Sequence, residues 1–134
     1  MKRLLFLFVM VVALATISTK SAQAQSTQKI IVPQDVEKWI TSSFGKGKLP
    51  PFSFLYNDKN SAGFIRKWKH SIRKVESAEG VVRYEVSYLD TQSGLQVKCD
   101  VKGFQEFGAV EWLLHFTNTS AQNTKQIKDV KVTD

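Results

Sequence analysis

Val82-Arg83-Tyr84-Glu85-Val86-Ser87-Tyr88, then Asp90-Thr91-Gln92-Ser93-Gly94, then Leu95-Gln96-Val97-Lys98-Cys99-Asp100-Val101 is the stretch that decides the fold. In both arms every second residue is apolar, the period of a strand with one buried face. The turn-forming segment between them ends in glycine, so the whole reads as an antiparallel hairpin. Cys99 shares the parity of Leu95, Val97 and Val101 and is read as a core thiol. It is the chain's single cysteine, so no internal disulfide can form.

The same reading extends outward. Val110, Trp112, Leu114 and Phe116 share one parity, and Glu111, Leu113 and His115 the other, predicting a third strand with an apolar and a solvated face. Asn118 to Asn123 is a polar turn; its Asn118-Thr119-Ser120 fits the glycosylation pattern but is read as turn. Ile127 to Asp134 alternates again, with Val130 and Val132 opposite Asp129 and Lys131, and predicts a terminal edge strand. Upstream, Phe52, Phe54 and Tyr56 alternate with Ser53 and Leu55 before a turn at Asn57 to Asn60. Phe64 to Val75 shows no clear period. Val36, Trp39 and Ile40 allow one or two helical turns with a buried face, Ile30-Ile31-Val32 is a short β-prone run stopped by Pro33, and Ser42 to Pro51 is a loop. The fold class expected is all-β: an antiparallel sandwich over 49–134, following an N-terminal extension over 25–48.

The first 24 residues have another character. Lys2 and Arg3 precede an apolar run from Leu4 to Ala15, and the segment ends Ala22-Gln23-Ala24. That pattern predicts a signal peptide at 1–24 and an exported, periplasmic or secreted protein. The run is too short to span a bilayer. Cleavage would leave 110 residues, 25–134, and removing Lys2, Arg3 and Lys20 takes the formal charge from +7 to +4. One small domain of that size excludes a TIM-barrel enzyme.

Sites with chemistry are scarce. His70, His115 and Cys99 have no metal-ligand spacing, so no metal is expected. His115 and Glu111 share a strand face but lie roughly 13 Å apart at ~3.3 Å per residue, too far to act together. Nothing local brings two of Asp90, Asp100, Glu106 and Glu111 together as a glycosidase pair. No catalytic residue is assigned. Lys59 to Lys74 is basic, with Lys59, Arg66, Lys67, Lys69, Arg73 and Lys74 around Trp68 and His70. Trp39 and Trp112 fall on apolar faces, so Trp68, with His70 beside it, is the candidate carbohydrate contact. Nucleic acid is not an expected partner of an exported chain.

Four segments resemble bacterial α-galactosidases of glycoside hydrolase family 36. Pro50 to Ser61, PPFSFLYNDKNS, is similar to PFSF-x-Y-x-G-K-x-S, with Asp58 at the glycine. Gly94 to Val101 looks like TGLxVRCxV. Ala109 to Thr119 looks like PAVEWxLxFxNTG, with Ser120 following in place of glycine. Asn123 to Val130 resembles xDTPIxxxI, with Lys125 at the proline. The resemblance runs over roughly 80 residues, about 50 to 133. It implies the opening strands of a large, supersandwich-like N-terminal domain that precedes a retaining catalytic barrel carrying two aspartates. Trp112, Phe116 and Cys99 are then packing residues, and Glu111 holds a loop or an interface.

The implied identity is the N-terminal, non-catalytic portion of an exported α-galactosidase-like enzyme. This chain lacks the barrel and is expected to be inactive alone, with no cofactor. Its implied partners are the missing catalytic barrel, an α-galactoside bound through the parent enzyme, and further copies in a homo-oligomer. No membrane association is expected after signal cleavage. The alternative is a stand-alone periplasmic carbohydrate-binding sandwich module contacting sugar through Trp68.

Overall fold

A computed structural model describes residues 33–132. The expected signal peptide and the start of the N-terminal extension, with its Ile30–Val32 run, lie outside the described residues. The described chain is mostly antiparallel sheet, with one helix. After helix α1 (Pro33–Ser43) come β1 (Phe52–Tyr56), β2 (Lys59–Asn60), two 3₁₀ turns (Ser61–Gly63, Ile65–Lys67), β3 (Lys69–Val75), β4 (Val81–Leu89), β5 (Leu95–Phe104), β6 (Ala109–Asn118) and β7 (Ile127–Val132). Strands β3-β4-β5-β6 form a four-stranded meander, and β2-β1-β7 a smaller sheet.

The central hairpin is β4–β5, with Tyr84 opposite Val101, Val86 opposite Cys99 and Tyr88 opposite Val97. Opposed residues share a face, so one face of the meander is apolar across β4, β5 and β6, with His70, Ile72 and Lys74 of β3 at its edge. On β5, Leu95, Val97, Cys99 and Val101 are at most 1% exposed. Burial pushes the Cys99 thiol up to about 12, leaving it an inert core group. The other face carries Arg73 paired with Glu85, Lys102 with Glu111, and His115 with Asp100.

Two elements cover the apolar face. Helix α1 lies over one end, with Val36, Ile40 and the following Phe44 fully buried. It can approach because position 103 is glycine: a Cβ there would stand 2.4 Å from Val36 and 2.9 Å from Ile40. Glu37 fixes the helix by accepting from Tyr84 Oη on β4 and, at 2.6 Å, from Lys74 Nζ on β3. The Lys74 contact first, then Tyr84, holds the Glu37 carboxyl below its ordinary range. The helix is longer than one or two turns, and it packs into the core of the sandwich. Pro33 is its first residue, where a missing N–H is tolerated and a fixed φ suits the helix.

The small sheet covers the other end. Phe52 meets Tyr88 edge-on at 5.9 Å, and Phe54 meets Phe116 at 5.1 Å. Asn57 and Asp58, both at positive φ (50° and 60°), form the tight turn between Tyr56 and Lys59, as a two-residue hairpin requires. Ser61, 1% exposed, accepts from the Phe54 amide at 3.1 Å and satisfies a buried donor.

Strand β7 departs from simple alternation. Ser53 pairs with Lys131 and Leu55 with Lys128, so β7 carries one extra residue, and Asp129 takes φ 48° there. This is a β-bulge, which bends the strand. Val130 and Val132 stay 49% and 59% exposed, although Val132 shares its sheet face with buried Phe52.

Candidate functional site

The 3₁₀ turns and the start of β3 give the basic stretch its shape. Ile65 is buried as the anchor, while Phe64 and Trp68 stay half-buried on one side of it. Their rings stack at 5.1 Å with 27° between planes. Tyr56 stands edge-on to both, at 6.3 and 6.4 Å. The three rings line a cleft of about 500 Å³.

The β4–β5 turn supplies another part of the lining. Asp90 closes this turn, accepting from the Gln92 amide at 3.1 Å and Ser93 Oγ at 2.6 Å. Gly94 holds φ 77° there, and a Cβ on it would stand 2.7 Å from Ser120. Asp90, Thr91, Gln92 and Ser93 all line the cleft, and so do Lys59, Lys67, Lys69 and Lys125. Burial acts to raise the Tyr56 phenol, but hydrogen bonds with Ser93, Thr124 and the Lys125 backbone outweigh it, and its pKa falls below the ordinary value.

The two candidate contact residues part company. Trp68 lines the cleft. His70, two residues on along β3, faces the apolar side: its Nε2 lies 2.8 Å from the Phe44 carbonyl and its ring 5.0 Å from that of Tyr88. As the carbonyl can only accept, Nε2 carries the proton, and the imidazole ties β3 to the end of α1. Trp39, read from spacing as a core residue, is 40% exposed; it leans on Trp112 at 5.9 Å, at the margin of the helix contact.

Two of the four candidate carboxylates come together in space. Asp100 and Glu111 line one shallow recess on the outer sheet face, together with Arg83 and Lys102. Glu111 lies 3.2 Å from Lys102 and joins β6 to β5. Among the described residues no three His, Cys, Asp or Glu side chains group as metal ligands, and no helix is long and apolar enough to cross a membrane.

Sequence reasoning found Trp68 and the lysines around it, and missed Tyr56, Lys125 and the Asp90–Ser93 turn as parts of the same cleft. The strand register brings them together across segments far apart in the chain. Comparison with protein families, with curated proteins and with solved structures returns no match to this chain.

Proposed function

We propose that this chain is the non-catalytic, N-terminal sandwich portion of an exported α-galactosidase-like glycoside hydrolase. Its role is scaffolding: packing against the catalytic barrel and contributing to contacts between copies. The parent enzyme hydrolyses terminal α-D-galactosides with barrel aspartates that this chain does not contain. The four resembling segments support the reading by where they fall, on β1–β2, β5, β6 and the approach to β7. Their side chains pack: Phe52, Phe54 and Cys99 are buried, and Trp112 and Phe116 pack against the core.

The observation that carries the proposal is an open side to the sandwich. Val110, Trp112, Leu114 and Phe116 on β6 are only partly buried, and Val130 and Val132 on β7 are exposed. An apolar margin of this kind, on the core-facing side of two strands, is what a larger supersandwich-like domain would cover. Reading the gene past codon 134 tests it. An in-frame stretch encoding a barrel with two carboxylates at its strand ends supports the proposal; a stop with no barrel-encoding sequence after it overturns it. The chain alone is expected to give no turnover of a chromogenic α-galactoside.

A further inference from the structure

The cleft beside the β4–β5 turn is not used by a scaffolding role. Its size, about 500 Å³, is that of an ordinary small-molecule site. Its floor is the Phe64–Trp68 stack with Tyr56 edge-on. Half-buried rings in a cleft present a flat apolar surface for a partner with a flat apolar face.

Charge narrows the partner. Lys59, Lys67, Lys69 and Lys125 line the cleft, and none forms an ion pair among the described residues. The one acid in the lining, Asp90, is already engaged by Gln92 and Ser93 within its own turn. A ligand therefore meets four lysines without an ion-pair partner among the described residues against one carboxylate, a balance that favours an anion.

The spread of the charges narrows it again. Phosphate groups favour convergent backbone amides at a helix N-terminus or glycine-rich nest. The lining contains no glycine and no α-helix N-terminus; its lysines come from separate segments, Lys59 on β2, Lys67 and Lys69 around the start of β3, and Lys125 before β7. Point charges from several segments beside aromatic rings suit a chain bearing one carboxylate per ring. Thr91 and Gln92 add polar groups able to meet hydroxyls.

We infer that this cleft binds an acidic oligosaccharide, a uronic-acid chain, with ring faces on Phe64 and Trp68 and carboxylates on the lysines. The inference stands on the cleft's own geometry and is independent of the parent-enzyme reading.

Isothermal titration of the full chain with trigalacturonate tests it, with neutral raffinose, inorganic phosphate and ATP as comparison probes. Trigalacturonate should bind about tenfold or more tightly than raffinose, and added salt should weaken it. The double variant Lys59→Gln/Lys125→Gln, at exposed positions, should weaken binding by about tenfold, and Trp68→Ala by at least as much. Where Trp68→Ala fails to fold, the lysine pair decides alone. Equal affinity for raffinose, tighter binding of phosphate or ATP, affinity unchanged by the lysine substitutions, or no heat with trigalacturonate at millimolar concentration would each overturn the assignment.

Discussion

Strands β5 and β6 are neighbours of equal length with the same alternating pattern, yet they end in different environments. On β5 the apolar positions are sealed; on β6 their partners in register are only partly covered. Leu114 lies opposite Cys99 and Phe116 opposite Val97, on the same face of the same sheet. The difference lies in the second layer. Helix α1 and the small sheet sit over the middle of the meander, and their cover thins toward β6. Alternation decides which way a side chain points, and the opposite layer decides how much of it leaves water.

The largest effect expected from this contrast is at the centre. Phe54→Ala should cost about 3–5 kcal/mol in a denaturant melt, while Leu114→Ala on β6 should cost about half as much because part of the side chain is already hydrated. Equal losses would erase the contrast. Gly103→Ala tests the approach of the helix: the new methyl meets Val36 and Ile40 and should cost about 1–3 kcal/mol by overpacking. A neutral result would mean that α1 does not rest on β5.

Ser61→Ala leaves the buried Phe54 amide without its acceptor and should cost about 1–3 kcal/mol. Glu37→Gln is expected to cost about 1 kcal/mol near neutral pH, since the site is partly hydrated. Its pH dependence has a definite sign. The folded carboxyl titrates below its ordinary value of 4.5, so its contribution is complete above that value and fades as pH falls through the folded pKa. The gap between wild type and Glu37→Gln should therefore hold above the ordinary value of 4.5 and shrink as the pH falls below it. The smallest effect belongs to the open margin: Val132→Thr should change stability by less than about 0.5 kcal/mol.

Much of the fold was legible in the sequence, for a physical reason. The period of two in Val82–Tyr88, Leu95–Val101 and Val110–Phe116 specifies strand and face together, and the Asp90–Gly94 segment specifies the turn. Strand β3 was not legible, because Ile72 is its one strongly apolar inward residue between His70 and Lys74, and a single point has no period. The helix was underestimated because its third turn is anchored by Phe44, just past its end. The exposure of Val130 and Val132 was not legible, because alternation sets which way a residue points and not what covers it.

The candidate site was half legible. Trp68 and its lysines were visible as a cluster, but which way each residue faced depended on register. His70 reads as a companion of Trp68 in sequence; in space its imidazole bonds the Phe44 carbonyl at the end of α1 and is no part of the cleft lining. The cleft's remaining walls come from β1, from the β4–β5 turn and from Lys125, and no local pattern connects them.

Amide hydrogen exchange on the full chain tests the closed centre against the open side most directly. The account predicts that β4 and β5 amides exchange only on global unfolding, while those of β7 and the inward-bonded amides of β6 exchange faster by on the order of 100-fold through local opening. Uniform protection across β4, β5, β6 and β7 would contradict it, because a margin already sealed would need no further protein to cover it.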